Sequence, residues 1–241
     1  MKKILNIIKE NILLILVLIL IVIVFYKNYH DYKYEPYIIS KDFDKIELDN
    51  YNKLMIVAHP DDETLWGGAH LLEDNYLVVC ITCGPIKDRV NEFISVMNAT
   101  SDKYILLGYP DKTNGKRDNW ETVKDDMIKD LQTIINLKEW DTIVTHNPDG
   151  EYGHIHHKMT NNFVTDLAPN KNNLYYFGNY YPKKTIYEYY ETMTPINDAF
   201  VKPKKQIIGL YKTQSFIQES FSHMFNFEDW IQANEWSETN A

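Results

Sequence analysis

Short apolar runs alternate with longer amphipathic stretches through most of this chain. The apolar runs, each followed by polar residues, lie at 54–58, 77–82, 103–107, 142–145 and 174–177. Between them, residues 89–100 and 121–135 repeat apolar positions at helical spacing. This alternation of buried strands and amphipathic helices predicts an α/β fold, in which a Rossmann-like, mostly parallel sheet is flanked by helices.

The N-terminal segment has a different pattern. Residues 12–26 are continuously apolar, with lysines before them and lysine and tyrosines after them. This pattern predicts one transmembrane helix within a membrane anchor at residues 1–33, because flanking Lys and Tyr suit the two interfaces. No small-x-small cleavage site follows, which favours an uncleaved anchor over a signal peptide. We therefore expect a single-pass membrane protein.

The lysines give only a slight preference for one membrane side. Lys2, Lys3 and Lys9 favour a cytoplasmic N-terminus and an extracytoplasmic domain, while lysines after the apolar run weaken this bias. After the anchor, residues 34–51 are predicted to form a stalk, and residues 52–220 the α/β domain. Residues 221–241 form an apolar tail, which either docks on the domain or lies at the membrane surface.

A cluster of polar residues follows the first apolar run. It is His59-Pro60-Asp61-Asp62-Glu63, and Pro60 ends the strand and opens a turn. The simplest explanation is that Asp62 or Glu63 caps the next helix, but this accounts for one acid and not for the whole cluster. Chemistry in open α/β sheets is found at such strand ends.

A second polar cluster follows the run at 142–145. It contains His146, His154 and His157. A parallel sheet brings the ends of two such strands side by side. Two imidazoles and one carboxylate, with a fourth position open, form a typical catalytic zinc site.

The two motifs together, Ala-His-Pro-Asp-Asp-Glu and Gly-His-x-x-His, resemble those of the PIG-L/LmbE-like zinc de-N-acetylases over roughly residues 52 to 216. The resemblance implies that Zn²⁺ is bound by His59, Asp62 and His157. It implies that Asp61 is the general base, that His154 is a general acid or electrostatic partner at the leaving amine, and that Tyr152 helps to hold the oxyanion.

Two further positions are implied as sugar contacts: Arg89, after the second strand, and Asp111, after the third. For Asp111 a turn-forming role is equally compatible with the sequence. His154 and His157 also have helical spacing, so both could bind the metal while His59 takes another role. The family often has an acid or an amide just before the last His. Here that position is His156, which leaves the tautomer of His154 open.

The net charge of −9 argues against a nucleic-acid partner. No Gly-x-Gly-x-x-Gly or phosphate-binding loop is present in the sequence. We therefore expect a membrane-anchored, zinc-dependent N-deacetylase that acts on an N-acetylglucosamine-type sugar, with glycolipids among the candidate substrates. Two alternatives stay open, another metal-dependent hydrolase such as a phosphoester enzyme, and a non-catalytic, metal-dependent glycan-binding module.

Overall fold

One six-stranded sheet organises the protein. The computed structural model describes residue 12 and residues 16–24, 43–84 and 86–236. The order of the strands across the sheet is β3-β2-β1-β6-β7-β8. The strands of this sheet are β1 Lys53–Val57, β2 Tyr76–Thr82, β3 Lys103–Tyr109, β6 Thr142–Thr145, β7 Leu174–Phe177 and β8 Trp230–Gln232. A separate two-residue hairpin is formed by β4 Lys112–Thr113 and β5 Lys116–Arg117.

All neighbouring strands from β3 to β7 are parallel, and only β8 is antiparallel to its neighbour. In sequence order, the sheet starts with β1, adds β2 and β3 on one side of it, and then continues with β6 on the other side of β1. This reversal creates a crevice between the carboxyl ends of β1 and β6, where ligands bind in such sheets. The predicted α/β fold with a mostly parallel sheet is confirmed.

Helices cover the sheet on both faces. They are α1 Asp62–Glu73, α2 Lys87–Thr100, α3 Lys124–Ile135, α4 Ile155–Leu167, α5 Asp198–Ile208 and α6 Ser215–Phe221. Met55 and Val57 of β1 belong to the core on one face, and Leu54 and Ile56 belong to the core on the other. Because both faces are buried, the strands are unbroken apolar runs without alternating polar residues.

The predicted anchor lies largely outside the described residues. Of residues 1–33, residue 12 and residues 16–24 are described, and they are helical with exposed side chains. Among the described residues, no helix has both the length and the apolar character needed to cross a membrane. Of the predicted stalk, residues 43–51 are described, and Phe43 is buried in one of the two cores.

The C-terminal part differs from the sequence expectation in one respect. The apolar positions of residues 204–218 have helical spacing and predict a single closing helix, and this prediction is wrong. Helix α5 ends at Ile208, a 3-10 turn follows at Lys212–Gln214, and α6 begins at Ser215. Gly209 caps α5, and Tyr211, just beyond the cap, is buried in the core, where its hydroxyl bonds Glu63.

The apolar tail docks on the domain within the described residues. Met224 and Phe225 are buried in the core, and β8 adds an antiparallel strand to β7.

Glu228, just before β8, forms hydrogen bonds with the backbone of α1. That helix is broken at Gly67, whose φ and ψ are not helical. The backbone amides of Ala69 and His70, just after the break, donate to the Glu228 carboxylate. Glu228 therefore caps the second half of α1 from a distant segment.

The Glu228 carboxylate also pairs with a buried cation. Lys204 Nζ lies 2.6 Å from Glu228 Oε1, and both side chains are fully buried. We expect Glu228→Ala to lower the free energy of unfolding by about 4 kcal/mol, because it leaves a buried ammonium uncompensated and uncaps a helix. Urea denaturation followed by circular dichroism measures this. Glu235→Ala, at an exposed position of the same segment, is the control and should change stability by less than about 0.5 kcal/mol. Equal, small effects would contradict the integration of this segment into the core.

Candidate active site

The first motif bends sharply at Asp61. This residue has φ 124° and ψ −32°, a region that a non-glycine residue rarely adopts. Its backbone amide donates to Glu63 Oε2 at 2.9 Å, and the Tyr211 hydroxyl donates to the other oxygen of Glu63. Glu63 is fully buried. Burial raises the pKa of Glu63 to about 7, although the Tyr211 hydroxyl and the Asp61 amide act to lower it. The unusual backbone at Asp61 is therefore held by a buried carboxyl.

Asp61 itself is buried beside an arginine. Arg89 Nη2 donates to the backbone carbonyl of Pro60 and to Asp61 Oδ2, 3.2 Å away. Burial raises the pKa of the Asp61 carboxyl well above its usual value, and the Asp62 charge raises it further, while Arg89 lowers it. A carboxylate with a raised pKa in a cleft has the properties of a general base.

Two histidines of the second motif share one buried carboxylate. Glu151 Oε2 lies 3.1 Å from His146 Nδ1 and contacts His157 Nδ1. The two imidazoles stack with their centroids 3.8 Å apart. Glu151 has φ 54°, a left-handed conformation that is uncommon for a residue other than glycine. Because a carboxylate only accepts hydrogen bonds, both Nδ1 atoms carry protons.

The remaining nitrogens of these two rings differ. His146 Nε2 accepts a hydrogen bond from the Ala58 amide at 2.9 Å, so its lone pair is used. His157 Nε2 is buried and makes no hydrogen bond within the described part of the chain, and it lies 3.3 Å from Asp62 Oδ1. Burial lowers the pKa of His157, but the Asp62 and Glu151 charges outweigh burial and raise it to about 10. The position between His157 and Asp62 therefore attracts a cation.

His59 also contacts the Asp62 carboxylate. Its Nδ1 lies 3.2 Å from Asp62 Oδ2, and its backbone amide donates to that same oxygen at 2.8 Å. Its Nε2 is 3.0 Å from His156 Nδ1. The Asp62 carboxylate therefore contacts the rings of both His59 and His157. The structure thus places both histidines of the predicted ligand set next to Asp62, although His157 is far from the other two residues in the sequence.

Within the described residues, three groups of three side chains place potential ligand atoms within 4.8 Å of one another. They are His59/His154/His157, His59/Asp111/His156 and Asp62/His146/His157. The predicted set of His59, Asp62 and His157 is divided between the first and the third group. In the third group, His146 Nε2 already accepts a hydrogen bond from the Ala58 amide, whereas His157 Nε2 makes none within the described residues and could face a metal ion. Two imidazoles and a carboxylate are a donor set that suits zinc.

The other predicted site residues lie around these three. The ring of His154 is 4.7 Å from that of His59 and 4.5 Å from that of His157. Tyr152 is half exposed, with its ring 5.4 Å from that of His157. Asp111 Oδ1 is paired with Arg117 and lies 3.4 Å from His59 Nε2. Arg89 is paired with Asp61, as described above.

Sequence similarity decides the family. The family model described as GlcNAc-PI de-N-acetylase, PIG-L, matches residues 54–168, which contain both motifs. An uncharacterized protein, L374, of Acanthamoeba polyphaga mimivirus is 33% identical over 178 residues, which span 67% of this chain and 76% of that protein. The chain belongs to the PIG-L family. The predicted resemblance is confirmed.

Solved structures support the fold of this PIG-L family member. The N,N'-diacetylchitobiose deacetylase from Pyrococcus horikoshii matches with a TM-score of 0.53 and 18% identity, over 77% of this chain and 81% of that chain. The 4-carboxy-2-hydroxymuconate hydratase GalB from Pseudomonas putida matches with a TM-score of 0.53 and 13% identity, over 72% and 83%. Since a deacetylase and a hydratase share the fold, the reaction must be inferred from the site.

The sequence did not single out several residues that the structure of this PIG-L family member places at the site. Glu63 and Glu151 are buried carboxyls whose hydrogen bonds hold Asp61 and His157. Glu63 stands inside the first motif and Glu151 stands two residues before the second, so their position was a usable signal. Thr213 was harder to find, because it lies far from both motifs. Its amide and its hydroxyl donate to Glu92 of α2. This contact secures the helix that carries Arg89.

Proposed function

We propose that this protein is a zinc-dependent hydrolase that removes the acetyl group from an N-acetylglucosamine-type sugar. The observation that carries the proposal is the buried Asp62 carboxylate, which lies 3.2 Å from His59 Nδ1 on one oxygen and 3.3 Å from His157 Nε2 on the other, with the predicted base Asp61 next to it in the chain. The family description, GlcNAc-PI de-N-acetylase, supports the same reaction. His59, Asp62 and His157 would hold the zinc ion.

Bound zinc would supply a Lewis acid for the acetyl carbonyl and would lower the pKa of the attacking water. Asp61 takes the proton of that water as its oxygen attacks the carbonyl carbon. The carbonyl oxygen then becomes an oxyanion, and the Tyr152 hydroxyl is proposed to donate a hydrogen bond to it. When the carbon–nitrogen bond breaks, Asp61 returns its proton to the departing nitrogen. The products are the free amine and acetic acid, which then ionises to acetate.

The hydrogen bonding of His154 bears on which residue delivers that proton. Its Nδ1 accepts from the backbone amide of His156 at 3.2 Å, so a neutral ring carries its proton on Nε2. Protonating Nδ1 would place two donors face to face. Burial and the charges of His157 and His59 also lower the pKa of His154 to about 2. We therefore assign proton delivery to Asp61, and to neutral His154 the donation of a hydrogen bond to developing negative charge.

Arg89 and Asp111 are proposed to contact the sugar. Each is already engaged in an ion pair, Arg89 with Asp61 and Asp111 with Arg117. Sugar hydroxyls would add to these pairs, and the pairing keeps both side chains oriented before substrate arrives. An apolar carrier on the sugar is also proposed, because the exposed side chains of Tyr152 and Ile155 flank His154. This carrier would make the substrate a glycolipid.

Acetate release tests this function. Metal-stripped protein would be assayed with and without one equivalent of Zn²⁺, on an N-acetylglucosaminyl lipid, on soluble N-acetylglucosamine conjugates and on phosphate esters. We expect zinc-dependent release of acetate and none of phosphate, with the lipid as the better substrate. Phosphate release without acetate release would favour a phosphoester enzyme. Glycan binding without any hydrolysis would favour a binding module.

Tyr211 provides a prediction about the support of Asp61. Tyr211→Phe should lower kcat about tenfold while zinc stays bound, because Glu63 loses a donor and no longer fixes the Asp61 backbone as closely. The control is Tyr176→Phe. The Tyr176 hydroxyl bonds Thr165 at 2.8 Å on the other face of the sheet. Each variant should lose about 1 kcal/mol of stability. An equal effect of both on kcat would refute the role of Tyr211.

We also propose that residues 1–33 attach the protein to a membrane, with a slight preference for an extracytoplasmic domain. The support is the continuous apolar sequence of residues 12–26 between lysine-containing flanks. Sedimentation of the full chain with membranes, and its release when residues 1–33 are deleted, would support this proposal. Protease protection of the domain in sealed cells would decide the side. Recovery of the full chain in the supernatant would contradict attachment.

A further inference from the structure

His156 is a fully buried histidine whose ring is fixed on two sides. Its Nε2 lies 2.8 Å from the backbone carbonyl oxygen of Asp118. Its ring stacks on Trp120, with the centroids 4.2 Å apart and the planes 12° from parallel. Because a carbonyl oxygen only accepts, the proton of a neutral His156 ring must lie on Nε2. The Nδ1 atom therefore presents a lone pair.

That lone pair faces the first metal-binding histidine. His156 Nδ1 and His59 Nε2 are 3.0 Å apart, so His59 Nε2 must carry the proton that joins them. A neutral His59 ring then has its lone pair on Nδ1, which lies 3.2 Å from Asp62 Oδ2. A neutral ring therefore points a lone pair at a carboxylate oxygen, an arrangement that a metal ion between the two atoms would satisfy. The chain of hydrogen bonds therefore points the correct nitrogen at the proposed metal.

We propose that His156 is a positioning residue, which holds His59 in the tautomer that binds zinc through Nδ1. This inference rests on the proposed zinc site and extends it to a position where the sequence departs from the usual family pattern. The His154 ring does not need the His156 side chain, since the backbone amide of His156 already bonds its Nδ1. Asp111 Oδ1 is the competing acceptor for His59 Nε2, at 3.4 Å, but it is already engaged with Arg117.

The same arrangement connects the metal site to the loop after the β4–β5 hairpin. Asp118, whose carbonyl fixes His156, is itself held by two further contacts. One of its carboxylate oxygens accepts from the Trp120 amide at 2.6 Å, and the other accepts from the Thr113 hydroxyl. The orientation of His59 thus depends on the conformation of this loop through a single histidine.

Zinc affinity of His156 variants tests the proposal. His156→Phe keeps an aromatic ring against Trp120 but removes both hydrogen bonds, and we expect it to weaken zinc binding about tenfold to 100-fold. His156→Asn places an amide oxygen near the position of Nδ1, and we expect it to recover affinity to within about threefold of the natural protein. Competition with a chromophoric chelator measures the affinities. The absorption spectrum of Co²⁺-loaded protein should change in the Phe variant and be restored in the Asn variant.

Trp120→Phe is the matched control, because it alters the stacking on His156 without removing a hydrogen bond of that ring. It should leave the zinc affinity within about threefold, the range expected without loss of an outer-shell partner. If His156 has a purely structural role, both Phe variants should lower the stability of the metal-free protein. His156→Asn should then fail to restore the zinc affinity. Unchanged zinc affinity in His156→Phe, or failure of the Asn rescue, would overturn the proposal.

These results are independent of the reaction. If the protein binds zinc with the predicted dependence on His156 but releases no acetate, the proposed function fails and the positioning role stands. If it releases acetate but substitution of His156 does not change its zinc affinity, only the positioning role is refuted.

Discussion

Asp61→Asn is expected to lower kcat by on the order of 10³-fold while leaving zinc bound at full stoichiometry. Asp61 is the carboxylate proposed to accept the water proton, and an amide cannot do so. The side chain of Asn still offers an oxygen to Arg89, which now lies 3.2 Å from Asp61 Oδ2. Acetate release and metal analysis on the same preparation measure both quantities.

Asp102→Asn is the control for this experiment. Asp102 is also buried, but it precedes β3 and accepts from the Tyr76 amide at the amino ends of the strands, opposite to the site. Its substitution should leave kcat unchanged. If Asp61→Asn lost its zinc as well as its activity, Asp61 would have to be a ligand, and the roles of Asp61 and Asp62 would need to be exchanged.

His157→Ala is expected to release the zinc ion, whereas His146→Ala is expected to retain it. The two rings stack on each other and share Glu151, so the two substitutions disturb similar surroundings. Nε2 of His146 lies 3.4 Å from Asp62 Oδ2 but already accepts from the Ala58 amide. Nε2 of His157 lies 3.3 Å from Asp62 Oδ1 and makes no hydrogen bond to any described residue. The loss of affinity in His157→Ala should exceed the 10-fold to 100-fold effect typical of outer-shell partners.

Calorimetric zinc titration of both variants, together with the free energy of unfolding without metal, separates ligand loss from destabilisation. His146→Ala should lose stability through the cavity and the unpaired Ala58 amide, yet still bind one zinc ion. Zinc loss in His146→Ala with retention in His157→Ala would show that the hydrogen-bond argument assigns the wrong ring.

The sequence predicted the sheet well because buried parallel strands are unbroken apolar runs. The predicted strands at 142–145 and 174–177 coincide with β6 and β7. It did not predict β8, which has only three residues, Trp230–Gln232, and no fully buried face. It also missed the break after Ile208, beyond which Tyr211 makes a distant contact with Glu63. Such contacts leave no local periodicity in the sequence.

The sequence suggested candidate site residues but not the hydrogen bonds between them. Motif positions identify His59, Asp62 and His157, and the structure places them together. Spacing alone leaves open whether His146, His154 or His156 also binds the metal, since every imidazole has two nitrogens. The partners of those nitrogens separate the roles, through the Ala58 amide for His146 and the Asp118 carbonyl for His156. These partners come from remote parts of the chain.

Anomalous diffraction at the zinc absorption edge, from crystals of the zinc-loaded protein, tests the central claim most directly. We expect one strong peak bonded to His59 Nδ1, to the Asp62 carboxylate and to His157 Nε2, with Asp61 beside it and not bonded to it. A peak bonded to His146, or no peak at this carboxylate in protein that releases acetate, would contradict the account.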